Sequence, residues 1–218
     1  MTNKKAFIFD LDGVLVDTAK YHFLAWQKLA QELGIEFTPE RNEHLKGVSR
    51  VQSLELILKL GNVTASQSDK NKWLYQKNQE YLTYLIDIDA SELLPGVLPT
   101  LHYLKNQNQL IALGSASKNA RPILEKTGII TLFDAIVDGN DVVNAKPDPE
   151  VFLQAARLMH VKNENAIVFE DSVAGIEAAN TAKMTSIGMG DEKILHNAKY
   201  IFKDFTYVEA AFIDSLVN

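Results

Sequence analysis

Ala6-Phe7-Ile8-Phe9-Asp10-Leu11-Asp12-Gly13-Val14 begins with four apolar residues in a row and continues into two acids one residue apart. An unbroken apolar run suits a strand covered on both faces, as in a parallel sheet. Doubly wound sheets gather ligands at the carboxyl ends of their strands. The run therefore places Asp10 and Asp12 where chemistry takes place. Two carboxylates at this spacing can divide labour, one attacking phosphorus and the other moving the proton. A metal ion would offset their crowded charge and draw in a phosphoryl group. Gly13 permits a sharp turn after the pair. The same residues also read as a strand end running into an Asx-type turn.

Further along, Leu110–Leu113, Ala135–Val137, Ala166–Phe169 and Thr185–Ile187 repeat the short apolar texture. Helical candidates lie between them, at about 97–106, 118–127, 149–159 and 173–182. Pro149 after Asp148 marks one start, and Gly128 fits the end of another. Strand and helix in alternation predict an α/β fold with a Rossmann-like, doubly wound parallel sheet. Residues 16 to 90 look different, being helical throughout. Tyr21, Ala25, Leu29 and Leu33 recur every fourth position before Gly34. Ser49 to Gln52 has capping-box spacing, and a long helix runs from Ser66 to about Ile86. So many helical residues after one strand exceed a crossover. They are expected to form an inserted α-helical cap over 16–90, with the core built from 1–15 and 91–218. Pro95-Gly96 marks the return to the sheet.

The chain has 218 residues, 46% of them hydrophobic and 23% charged, as in an ordinary globular protein. It contains no cysteine, which excludes disulfide scaffolds, thiol nucleophiles and cysteine-bound zinc. The charge sum, 22 − 28 = −6, argues against nucleic acid or an anionic membrane as the main partner. No targeting segment or bilayer-long apolar stretch is visible, so a cytoplasmic protein is expected. Nothing in the sequence demands more than a monomer.

Three further segments carry chemistry. Glu170-Asp171-Ser172 follows the Ala166–Phe169 strand as a second acidic pair. With Asp10 and Asp12 it offers hard oxygen ligands for Mg²⁺, although Asp171 or Ser172 also reads as a plain helix cap. Ser115 leads into Ala116-Ser117-Lys118-Asn119, where a hydroxyl and backbone N–H groups at a helix start suit phosphate oxygens. Lys146, in Lys146-Pro147-Asp148-Pro149, can balance phosphoryl charge; taken alone it reads as a surface lysine.

In this order the four segments resemble the motif set of the haloacid dehalogenase (HAD) superfamily of phosphotransferases, and the resemblance covers almost the whole chain. It implies Mg²⁺ dependence, with Asp10 as the phosphorylated nucleophile. Asp12 would be the general acid/base, its main-chain oxygen on the metal. Ser115 and Lys146 would orient and neutralise the moving group, and Glu170 and Asp171 would hold the cation.

The cap narrows the expectation. Thr18, His22 and Trp26 on its first helix, Leu45-Lys46-Gly47-Val48-Ser49-Arg50, and Ser53 are similar to the family of β-phosphoglucomutases, as is Ser115-Ala116-Ser117-Lys118-Asn119. That resemblance implies sugar-phosphate substrates and two anion sites. Asp10, Mg²⁺, Ser115 and Lys146 would form the proximal one, and Arg50 with Ser117, Lys118 and Asn119 the distal one. Arg50 suits a bidentate grip on phosphate. Thr18 and His22 would position Asp12, and Lys46, Gly47, Val48 and Ser53 would contact the sugar as the cap closes. Ala116 falls among the expected substrate contacts. Lys77 shares a helix face with Leu74 and Tyr81 and would reach the cleft, or else snorkel at the surface. Trp26 reads first as packing, and His22 as a hydrogen-bonded interface residue. The expected reaction interconverts β-D-glucose 1-phosphate and glucose 6-phosphate. The alternative is a HAD-type sugar-phosphate phosphatase on the same core, since fold and core motifs do not separate the two. A non-enzymatic receiver phosphorylated on Asp10 is a third reading, against which the basic loop of the cap counts.

Overall fold

The computed structural model describes residues 4–217. Six strands form one parallel sheet in the spatial order β3-β2-β1-β4-β5-β6: β1 (Ala6–Phe9), β2 (Leu110–Gly114), β3 (Ala135–Val137), β4 (Ala166–Glu170), β5 (Thr185–Met189) and β6 (Tyr200–Phe202). The order reverses at β1, which pairs with β2 on one side and β4 on the other. This is the doubly wound topology, and its switch point lies at the end of β1.

Side-chain alternation along β1 explains the double cover. Phe7 and Phe9 point to one face and join Leu101 and Leu104 of α5 (Val97–Asn106) and Ile123 of α6 (Ala120–Lys126). Ile213 of α9 (Ala210–Val217) closes the same layer. Ala6 and Ile8 point to the other face, against Phe152 and Ala155 of α7 (Glu150–Leu158) and Ala178 and Ala179 of α8 (Val173–Thr181). Phe7, Ile8 and Phe9 are fully buried, each contributing about 1.5–3 kcal/mol of burial free energy. Phe9 also stacks on Phe169 of β4 with ring centres 4.8 Å apart.

The cap consists of α1 (Ala19–Glu32), α2 (Pro39–Glu43), α3 (Arg50–Leu60) and α4 (Gln67–Tyr84). It encloses its own apolar cluster, with Trp26, Leu29, Phe37, Leu54 and Ile57 at the centre. Ser49 caps α3 through the reciprocal pair expected from sequence, each bond being 3.2 Å. Ser66 caps α4, which ends two residues short of the expected Ile86. There Lys126 of α6 donates to the free carbonyls of Leu85 and Ile86, at 2.9 and 2.6 Å. A core side chain thus satisfies orphan acceptors at the end of a cap helix.

Two helix starts need correction. Helix α7 begins at Glu150, one residue after Pro149, with Glu150 N–H donating to Asp148 Oδ1 at 2.9 Å. Helix α6 begins only at Ala120. Ser115 therefore stands on a loop and not at a helix N-terminus. Short elements that the apolar pattern did not signal are α2, β6 and α9. No helix among the described residues is long and apolar enough to cross a membrane.

Candidate active site

All four motif segments leave the sheet at its carboxyl edge and meet under the cap. Asp10 leaves β1 with its N–H donating to Phe169 O at 3.0 Å. Lys146, wholly buried, donates from Nζ to Asp10 Oδ1 at 2.6 Å and to Glu170 Oε2 at 2.8 Å. Glu170 Oε1 accepts from Ser172 N–H at 3.1 Å and from Ser172 Oγ–H at 2.5 Å. Asp10, Glu170 and Asp171 each offer an oxygen within 4.8 Å of the others. Gly13 turns here with φ 82°, and a Cβ in its place would collide with the Asp171 carboxylate.

Crowded carboxylates in a dry site resist ionisation. Burial pushes the Asp10 carboxyl well above its usual range, against the pull of Lys146 and with the push of Glu170 and Asp171. Burial and Glu170 raise Asp171 to about 7. Lys146 stays firmly charged, since attraction from Asp10 and Glu170 outweighs its burial. An all-oxygen donor set with this surplus of negative charge fits a hard divalent cation.

The Asp12 carboxylate turns away from that cluster. Its Oδ1 accepts from Thr18 Oγ1–H at 2.5 Å and lies 3.6 Å from His22 Nε2. Burial works against its charge, but His22 and the Thr18 hydrogen bond bring it below the usual range. Behind it, His22 Nδ1 lies 2.7 Å from Lys77 Nζ, and the imidazole stacks on Tyr81 with ring centres 3.9 Å apart. The tautomer that satisfies both ends has Nδ1 accepting from Lys77 and Nε2–H facing Asp12. Burial and Lys77 lower the basicity of His22.

Lys77 is only 2% exposed, which overturns the snorkelling-surface reading. Its Nζ stands 4.8 Å from the ring centres of both Trp26 and Tyr81. Burial and neighbouring Arg50 push it well below the usual lysine range. Trp26 packs in the cap cluster and also faces the cleft.

Between cap and core lies a cavity of about 880 Å³. Asp10, Asp12, Ser115 and Asp171 line it from the core, with Ala116, Ser117 and Lys118 beyond them. His22, Trp26, Lys46, Gly47, Val48, Arg50, Ser53 and Lys77 line it from the cap. Ser53 spends its hydroxyl on Ser49 O at 3.1 Å. Ser115 Oγ accepts from Ser117 N–H at 3.1 Å, and Ser117 Oγ from Asn119 N–H at 3.3 Å, so hydroxyls brace this loop. Asn119 is not part of the cavity lining; its side-chain amide donates to Asn78 Oδ1 of α4 at 3.2 Å. Gly47 has φ 74°, and a Cβ there would collide with Ser172 Oγ. The cap loop thus rests with bare backbone on the core.

Sequence reasoning missed one wall. Gly139, Val142, Val143, Asn144 and Ala145 also line the cavity. Their position between the end of β3 and Lys146 was the available signal, because that places them at the ligand-binding edge of the sheet.

Residues 4–183 match the model of the haloacid dehalogenase-like hydrolases. The chain is 41% identical over 201 residues to a β-phosphoglucomutase of Bacillus subtilis, spanning 91% of this chain and 89% of that one. It is 30% identical over 185 residues to a phosphorylated carbohydrates phosphatase of Thermotoga maritima, spanning 84% and 83%. Among solved structures, a β-phosphoglucomutase from Clostridium difficile superposes with a TM-score of 0.93 at 40% identity, covering 99% of this chain and 97% of that one. The chain belongs to the haloacid dehalogenase-like hydrolase family, where it groups with β-phosphoglucomutases.

Proposed function

We propose that the protein is a Mg²⁺-dependent β-phosphoglucomutase. It interconverts β-D-glucose 1-phosphate and glucose 6-phosphate through an aspartyl-phosphate enzyme and a β-glucose 1,6-bisphosphate. The observation that carries this reading is a cavity that offers cations beyond the lysine paired with Asp10. Lys146 is ion-paired to Asp10 beneath the cavity, while Arg50 and Lys118 line it and form no ion pair with the described residues. A hydrolase of monophosphates needs one anion site, whereas a mutase must hold one phosphate while the other reacts.

In the forward direction, Asp12 takes the proton from the sugar hydroxyl as that oxygen attacks phosphorus on Asp10. The bond to the aspartate oxygen breaks, Asp10 is left as carboxylate, and the bisphosphate results. After the sugar turns round, Asp10 attacks the other phosphorus, and Asp12 returns its proton to the departing sugar oxygen. Lys146 and Ser115 orient and neutralise the moving group. Asp10, Glu170 and Asp171, with the main-chain oxygen of Asp12, would hold Mg²⁺, which supplies charge neutralisation at the phosphoryl group. Thr18 and His22 hold Asp12 ionised and aimed. The cap (16–90), closing on the core (1–15 and 91–218), excludes water.

The test is an assay with Mg²⁺, β-glucose 1-phosphate and a trace of the 1,6-bisphosphate, following both sugar phosphates and free phosphate. Isomerisation with little free phosphate is expected. Stoichiometric phosphate release would make the protein a sugar-phosphate phosphatase instead.

A further inference from the structure

Lys46 differs from the other cations that line the cleft. It projects from the cap loop, but its Nζ lies 3.5 Å from Asp171 Oδ2 and 3.1 Å from Glu43 Oε2. The pair is shielded: the Asp171 side chain is 9% exposed and that of Lys46 is 26% exposed. It also lies on a shared wall. Lys46 and Asp171 line the substrate cleft and, on their other side, a second cavity of about 430 Å³. Asp17, Glu43, Asp191 and Asp204 line that second cavity, with Lys203 beside them, so acids outnumber bases on this side. A cation approaching Asp171 from this acidic side meets Lys46.

We propose that Lys46 is a built-in competitor for the divalent cation, docking on Asp171 when the cap is closed over an empty cleft. The inference rests on the reading that Asp10, Glu170 and Asp171 hold that cation. An ammonium 3.5 Å from a carboxylate occupies much of the field that would attract a metal ion, and two cations on one carboxylate repel each other. Cation binding and cap closure therefore oppose one another in the free enzyme, and the coupling runs equally in both directions. A sugar phosphate entering between the two positive charges removes the conflict, so metal and closed cap coexist only around an anion. The metal-loaded, empty enzyme is thereby biased toward an open cleft that admits substrate.

The experiment is a calorimetric titration of metal-free protein with Mg²⁺, without any sugar phosphate. Lys46→Met is expected to tighten Mg²⁺ binding about fivefold, Lys46→Gln to do the same, and Lys46→Arg to stay within about twofold of the wild type. If both neutral variants bind Mg²⁺ as the wild type does, or more weakly, the competitor role is wrong. Asp171→Asn separates this from the underlying reading. It is expected to abolish saturable binding, and wild-type affinity in that variant would overturn the cation site itself.

Discussion

Lys146 and Lys77 are buried to the same depth, 0% and 2% exposed, yet their surroundings are opposite. Lys146 sits between two carboxylates at 2.6 and 2.8 Å and is held charged. Lys77 faces an imidazole, two aromatic rings and the Arg50 charge, and burial together with Arg50 drives it toward neutrality. A buried charge with partners is part of the folded framework. One without them is a cost that a bound anion can relieve. The core side of the cleft is thus electrostatically complete apart from a cation, while the cap side is short of an anion.

Lys146→Met tests the first half and carries the largest effect. It strands Asp10 and Glu170, so the metal-free protein should lose about 3–5 kcal/mol in urea unfolding. Isomerisation should fall by about 10³-fold. Next is Arg50→Ala, which removes a cation from the anion-seeking side. It should lower kcat/KM for isomerisation by about 100-fold, while hydrolysis of a small aryl phosphate falls by about fivefold at most. Equal losses in the two assays would show that Arg50 does not grip a second phosphate.

The acids on the core side sharpen the contrast through pH. Asp171 holds its proton to about 7, against an ordinary value of 3.8. The folded chain therefore binds that proton more tightly than the unfolded chain. In metal-free protein, its contribution to stability falls as pH rises from 3.8 to 7. Metal needs the carboxylate, so Mg²⁺ affinity measured by titration should weaken by up to about tenfold per pH unit below that point. Lys77→Met carries the smallest effect and the opposite sign to Lys146→Met. Removing a cation that has no carboxylate partner should stabilise the free protein by about 1 kcal/mol at neutral pH. The unfolded chain holds the Lys77 proton more tightly than the folded one. Wild-type stability should thus climb as pH approaches the ordinary lysine value of 10.5, closing the gap to the variant in urea melts at pH 7 and 10.

Legibility in the sequence followed the same divide. The core strands announce themselves because both faces are covered, which leaves runs such as Ala166–Phe169 unbroken. The acids at their ends follow from topology. Strand β6 hides because Tyr200, Ile201 and Phe202 are only half-buried and the strand is three residues long. The sequence leaves Lys77 between cleft and surface because α4 is a polar helix: Tyr81 shares its face one turn on, but nothing local says that His22 and Trp26 of α1 close around it. Asn119 is expected at a phosphate from the resemblance of Ser115–Asn119 to the β-phosphoglucomutases, while in the structure its amide is turned to a partner on α4. Its partner Asn78 is 41 residues away in sequence, and only the folded cap brings it there.

Gly47 gives the cap its finest tolerance. The hydroxyl it lies against is the one that braces Glu170 and caps α8. A cap thicker by one methyl group would stand ajar, and solvent would share the chamber with the phosphorylated aspartate. On the proposed chemistry, one side-chain carbon that glycine lacks helps decide whether a phosphate passes from one sugar oxygen to another or is lost to water.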